Sequence, residues 1–322
     1  MDALTTCTAA FRTRRSLVDA FERLEREVRH PALDGIRRSL LRNPRVYGTR
    51  LARHSVNEAL GSEMIALVSA LVGDSDRDLA DDLSNHSKDE GRHAKIFAAL
   101  ARRLKADGAS EKPDALPGAD ESGESFDGDV ASFIASTHAA EARNLFVLTA
   151  YLEVCAELLD VDDRVAVVNA LSSIHEDELR HVTYTGAWVS RFLEAGSVTE
   201  RYLVEALDAF RCRMWWEAGL EADLLAADDD AAAEPYPARD RRASDTEPPL
   251  GSANLAAQAV EAVGHVFHDN HGVQRLLGDR LAMADQSGPN SDFKSPWSTL
   301  ARISRALAVS DGTAHGSPAM AA

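Results

Sequence analysis

Apolar residues recur with a helical period through most of the chain, and the strict alternation of a strand is scarce. Between residues 14 and 29, Leu17, Phe21, Leu24 and Val28 recur at i, i+4, i+7 and i+11, one apolar face of a helix. The same pattern predicts helices over 54–72, 77–104, 130–159, 164–194, 198–225 and 253–282. Gly73-Asp74-Ser75 and Asp160-Val161-Asp162-Asp163 read as turns inside the first and second pairs of long helices. Residues 106–129 are rich in Gly, Pro, Ser and acid and read as a mobile surface connection, and 226–251 as a linker. The final residues are expected to fray. Two helical hairpins, 54–104 and 130–194, joined by one long connection form the pattern of an all-α four-helix bundle with additional N- and C-terminal helices. The expected domains are an N-terminal helical extension over 1–53, the bundle and a following helix over 54–225, and a linker with a C-terminal helical extension over 226–322.

Composition changes this picture little, but charge narrows the function. The 45% hydrophobic and 27% charged residues are ordinary for a folded soluble protein. Basic residues number 35 and acidic ones 52, a net charge of −17 that repels phosphate backbones and argues against nucleic acid as a partner. No run of 18 apolar residues occurs, so no membrane span is expected, and the N-terminus lacks the apolar core of a secretory signal. Cys7, Cys155 and Cys212 are widely spaced and read as free thiols in a reducing cytoplasm. One region opposes the overall charge. Residues 12–53 hold 12 arginines against 5 acids, and the Arg-rich part from 36 to 53 is expected either to dock an acidic partner or anionic substrate or to be neutralised internally against the acidic remainder.

Chemistry concentrates in two pentapeptides, Asp89-Glu90-Gly91-Arg92-His93 and Asp177-Glu178-Leu179-Arg180-His181. Both read D-E-x-R-H, and each falls on the second helix of its hairpin. A Glu and a His three residues apart share a helix face, so one helix offers a carboxylate and an imidazole to one metal centre. A lone E-x-x-H is a weak signal; two copies of the longer motif at matching hairpin positions are a strong one.

A metal site between hairpins also needs carboxylates from the first helix of each. Antiparallel helices rise equally per residue, so the turn fixes which heights meet. A turn centred near residue 161 brings residues 141 to 144 to the height of the second motif, and Glu141 is the acid there. Glu153 and Glu157 lie at least two turns away. A turn near 75 brings residues 57 to 60 to the first motif; Glu58 fits, and Glu63 is one turn off. The surroundings of Glu58 and Glu141 repeat, each with a histidine shortly before it (His54, His138). The four carboxylates Glu58, Glu90, Glu141 and Glu178 balance two divalent ions, with His93 and His181 completing the donors. Oxygen and nitrogen donors without thiolates suit iron or manganese. Asp89 and Asp177 are placed to accept the second ring N–H of the histidines, each from the opposite motif, and Arg92 and Arg180 to pair with them. His86, four before Glu90, and His175, three before Glu178, are candidate extra ligands. Gly61 and Ser62 are small enough to leave room beside the metals.

With Glu58 and Glu141 upstream, the paired D-E-x-R-H resembles the ferritin-like diiron carboxylate superfamily over residues 54–194. That superfamily includes multicomponent monooxygenases, acyl-carrier-protein desaturases, diiron N-oxygenases, ribonucleotide reductase small subunits and ferritins. The resemblance implies a ferritin-like bundle with two iron ions (Fe/Fe or Mn/Fe) and O2, with Glu90 and Glu178 bridging, Glu58 and Glu141 terminal, and one histidine per iron. Reductase small subunits usually carry a radical tyrosine four residues after the first motif's histidine; Phe97 stands there. A rubrerythrin-type C-x-x-C is absent from the sequence. N-oxygenases carry a third histidine four residues before the last motif's glutamate, a spacing met here only by His86 in the first motif.

The expected function is an O2-dependent diiron oxygenase or oxidase that hydroxylates or N-oxygenates a small organic molecule, free or carrier-bound, in bacterial specialised metabolism. A carrier-linked acyl desaturase and an iron store are the alternatives. No flavin or Rieske motif occurs in the sequence, so electrons are expected from an external donor. A homodimer is expected. His265, His268 and His271 form an H-x-x-H-x-x-H run that reads as a solvated helix face. Met214, Trp215 and Trp216 read as core or interface.

Overall fold

The computed structural model describes residues 2–73, 75–104, 126, 128–159 and 161–231. Every regular element among these residues is a helix, in accord with an all-α protein. They are α1 (Ala3–Thr8), a 3₁₀ turn (Ala9–Phe11), α2 (Arg15–Val28), α3 (Pro31–Arg42), α4 (Pro44–Val72), α5 (Arg77–Arg103), α6 (Val130–Leu158), α7 (Val161–Ala195) and α8 (Glu200–Ala231). The expected connection over 106–129 falls almost entirely outside the described residues, as do most of the 226–251 linker, the 253–282 helix, His265, His268 and His271.

Local chemistry explains most helix ends. Asp76 Oδ1 accepts the Leu79 N–H at 3.1 Å to start α5, and Asp129 Oδ1 accepts the Ala131 N–H at 3.1 Å to start α6. α7 ends at Gly196, whose φ of 73° lets the Ser197 N–H return to the Phe192 carbonyl at 2.9 Å.

α4 differs from expectation. It begins at Pro44, not near residue 54, and runs unbroken across the expected 53/54 boundary. Proline is compatible with a first helical turn because its missing N–H has no partner there, and the Asn43 side chain accepts the Val46 N–H at 3.3 Å. Gly48 costs the helix about 1 kcal/mol but is buried within it. α8 likewise continues to Ala231, into the expected linker.

α4 packs along α5 and α6 along α7, and the two pairs meet where α5 touches α7. α8 lies against α6, α2, α3 and α4, while α1 to α3 cover α6, α7 and α8. The α4–α5 approach is close at the first motif. A Cβ on Gly91 would lie 3.2 Å from Ser62 Oγ, and that hydroxyl donates to the Ser87 carbonyl at 2.7 Å. Ser62 is therefore a helix-contact residue and does not open room beside the metals. The N-terminal helices insert Phe11 and Phe21, stacked at 5.8 Å, with both ring edges on His138.

One expectation for the surface changes. Arg37, Arg50 and Arg53 are buried, so the segment 36–53 is not one continuous docking surface; much of its charge points inward because α4 starts early. Trp215 belongs to the core, 2% exposed, with its Nε1–H donated to Glu27 at 3.0 Å. α4 also leaves Leu60, Leu67 and Leu71 37%, 50% and 57% exposed. By length and composition it is the one described helix that could cross a membrane.

A candidate dinuclear metal centre

Helices α4 to α7 bring the predicted residues together. Glu58 comes from α4, His86, Glu90 and His93 from α5, Glu141 from α6, and Glu178 and His181 from α7. Donor atoms of His86, Glu90, Glu141 and His181 lie within 4.8 Å of one another, and so do those of Glu58, Glu90 and His93. Glu90 belongs to both groups. Its Oε1 is 3.1 Å from His86 Nε2, 3.6 Å from His93 Nδ1 and 3.3 Å from His181 Nδ1. Glu178 also reaches both sides, 3.8 Å from His93 Nδ1 through Oε1 and 3.8 Å from His181 Nδ1 through Oε2. Glu63 is exposed and takes no part.

The histidines are oriented from behind. His93 Nε2–H donates to Asp177 at 3.0 Å and His181 Nε2–H to Asp89 at 3.3 Å, so each aspartate serves the opposite motif. Arg92 bridges both aspartates, at 2.6 Å from Asp89 and in contact with Asp177. Arg180 does the same, at 3.1 Å from Asp89 and in contact with Asp177. This quartet is electrically neutral and fixes both rings with Nδ1 facing the carboxylates. His86 presents the other nitrogen: Nδ1 pairs with the Tyr184 hydroxyl at 2.6 Å, leaving Nε2 for Glu90 and for Glu141 at 3.3 Å. Its ring stacks on His181 with centroids 3.8 Å apart.

His175 is elsewhere. Half-buried, its Nε2 pairs with Thr149 Oγ1 at 3.1 Å. Helix angle explains why. Residues advance about 100° each, so a residue four before the glutamate lies about 20° from the motif histidine, and one three before lies about 120° from it. In the second motif the four-before position is Ile174. Ile174 thus stands where a histidine would complete the Glu58–His93 side as His86 completes the Glu141–His181 side.

The chemistry of the donor set fits a pair of cations. His93 Nδ1, His181 Nδ1, Glu141 Oε2 and Glu178 Oε2 are all buried without a hydrogen-bond partner. Burial and the adjacent Glu90 push the Glu58 carboxyl well above the usual carboxylate range, and burial with Glu141 does so for Glu178. Burial alone would lower His181, but its bond to Asp89 and the nearby Glu141 carboxylate push it up to about 9. Positive charge at the centre would relieve all three.

A cavity of about 30 Å³ opens beside Glu58 and Glu178. Its wall includes Tyr47, Arg50 and His54 from the first turns of α4, Arg143 and Tyr151 from α6, and Ile174. Tyr47 and Arg50 fall before residue 54, where the helix was expected to begin. Their helical phase with Glu58 was the available signal: His54 and Tyr47 precede it by four and eleven residues. His54 lies on the cavity and His138 in the core beneath α1 and α2, so neither repeat histidine joins the metal cluster. No protein-family model matches the chain, and neither curated proteins nor solved structures give a match.

Proposed function

We propose that α4 to α7 form a ferritin-like four-helix bundle that holds two iron ions, Fe/Fe or Mn/Fe, and that the protein is an O2-dependent oxygenase or oxidase acting on a small organic molecule. The observation that carries this reading is the set of partnerless acceptors, His93 Nδ1, His181 Nδ1, Glu141 Oε2 and Glu178 Oε2, converging in one buried volume. Four carboxylates would neutralise two ferrous ions, and unneutralised carboxylates at this depth would be costly. Donors of oxygen and imidazole nitrogen suit iron and manganese over a structural zinc.

Glu58, Glu90 and His93 would hold one ion and His86, Glu90, Glu141 and His181 the other, with Glu178 spanning the two. Bound there, the ions supply the electrons and coordination that activate O2. Asp89 and Asp177 hold the imidazole rings in one tautomer and orientation, and Arg92 and Arg180 keep both aspartates ionised. The Tyr184 hydroxyl keeps Nε2 of His86 turned inward. Ile174 leaves the Glu58–His93 side short of one donor where the cavity meets it, so a reactant has access on that side and His86 shields the other. That asymmetry supports an enzyme over an iron store, which needs no one-sided opening.

Electrons come from an external donor in this reading, in the cytoplasm. The exposed apolar residues Leu60, Leu67 and Leu71 of α4 support a homodimer. The test is anaerobic loading with ferrous iron, metal analysis and Mössbauer spectroscopy, then O2 consumption and product analysis with a reductant. About two irons per chain are expected by the bundle's stoichiometry. Fewer than one, or mineral-like loading far above two, overturns the proposal.

A further inference from the structure

Behind the cavity lies a second buried polar cluster. Arg50 and Arg53 of α4 share Glu221 of α8, Arg50 in direct contact and Arg53 at 3.6 Å. Arg143 of α6 and Arg213 of α8 share Glu217, at 2.8 Å and 3.1 Å. Four guanidinium groups therefore divide two carboxylates among the described residues. Arg50, Arg53, Arg143, Glu217 and Glu221 are all less than 10% exposed, so water cannot supply the missing negative charge.

The partnerless atoms here have the opposite character to those of the metal centre. Arg143 Nε and Arg53 Nη2 are N–H donors with no acceptor, and the hydroxyl of Tyr151 has no partner. Arg143 and Tyr151 line the cavity, as does Arg50, whose guanidinium stacks 4.6 Å over the Tyr151 ring. His54 also lines it, with Nε2 unpartnered; burial and then Arg50 hold its pKa well below the usual imidazole value, so it adds no charge. Burial, with Arg50 nearby, likewise lowers Arg53 against the pull of Glu221.

We propose that this cavity binds the carboxylate of a small organic acid, held by the Tyr151 hydroxyl and the Arg143 Nε–H in the field of Arg50 and Arg53. The space of about 30 Å³ suits two or three waters or one carboxylate head. Glu58 and Glu178 line the same cavity, so a small acid anchored there lies beside the proposed metals. The inference rests on the diiron reading only in taking the bound acid to be the substrate; the anion site itself stands on the arginine cluster.

The experiment is ligand-observed NMR and calorimetric titration of the full chain, metal-free and iron-loaded, with formate and acetate as probes and formamide and acetamide as uncharged controls. At least one acid should bind saturably and displace no iron, and its amide should bind at least tenfold more weakly. Tyr151→Phe removes only the hydroxyl and should weaken the acid about tenfold, and Arg143→Gln about 10- to 100-fold. Both variants should keep the wild-type iron content. Equal binding of acid and amide, unchanged affinity in Tyr151→Phe, or no saturable binding of either acid overturns the proposal. Acid binding in a chain that takes up no iron would sustain the anion site and sink the diiron reading instead.

Discussion

At one end of the cavity four glutamates and three histidines meet with acceptors left over; at the other, four arginines share two glutamates with donors left over. Both clusters are buried, and both are built from residues facing one another across α4 to α8. The difference lies in what completes them. The glutamate end calls for cations, and its histidines are already aimed by aspartates that have their own arginine counter-charges. The arginine end calls for an acceptor, and nothing among the described side chains provides one. A buried cluster's missing charge thus indicates the chemistry of its ligand, because leaving that charge unmatched in a low-dielectric interior costs several kcal/mol per ion.

The largest expected effect breaks the metal end alone. Glu178→Ala removes the carboxylate that reaches both sides and should cut iron from about two per chain to below one, read by metal analysis. Unchanged iron content would remove Glu178 from the proposed centre. Next, Glu221→Gln strips Arg50 and Arg53 of their shared carboxylate and should destabilise the fold by roughly 3–5 kcal/mol, read from urea denaturation. A change under about 1 kcal/mol would show that the cluster is solvated.

Asp177→Asn should loosen His93 and lower iron affinity about 10- to 100-fold with little effect on the urea midpoint. Competition with a chelator measures it, and unchanged affinity would relieve the aspartate of any orienting role.

Acid should act on the arginine end through Glu217. Burial alone would raise the Glu217 carboxyl, but Arg143 and Arg213 hold it well below the usual range. Its stabilisation is full above the unfolded carboxylate value of about 4.3 and is lost as pH falls below it. In metal-free protein the glutamate end shifts both ways: Glu58 and Glu178 are raised, while their neighbours Glu90 and Glu141 are held low against burial, so the opposing contributions offset one another. Glu217→Gln should therefore flatten the loss of stability between pH 5 and pH 3 in urea titrations, and a wild-type acid limb in that variant would contradict the assignment. The smallest effect expected is from Tyr184→Phe, which frees His86 Nδ1 and should weaken iron binding by about 1 kcal/mol. Retention of both irons with an altered Mössbauer signature would fit; no change in affinity or spectrum would not.

Glu58 and Glu141 could be chosen in the sequence because antiparallel neighbours joined by a short turn must match heights, and the D-E-x-R-H pairs because Glu and His three apart share a face whatever the fold. The choice between His86 and His175 was open in the sequence although helix angle favours the four-residue spacing; what settled it was the rotation of α5 and α7 toward each other. For the arginines of 36–53 the sequence left two readings, a docking surface and internal neutralisation against the acidic remainder, and Arg50 and Arg53 take the second. Arg50 and Arg53 lie in a basic stretch next to Asn43-Pro44 and Gly48, three residues that suggest interruption, and the glutamates that absorb their charge are more than 160 residues further on in α8.

Sequence alone thus determined the helices, their pairing into hairpins and the six residues expected around two metals, because each of these depends on spacing within one helix or across one tight turn. Tertiary structure decided that His86 joins their cluster and Glu63 does not, the inward burial of Arg50 and Arg53, and the cavity between Glu58 and Tyr151. Those depend on how α8 and the early turns of α4 close over the space between the hairpins, and burial and charge pairing between helices distant in sequence leave no periodic mark in either one.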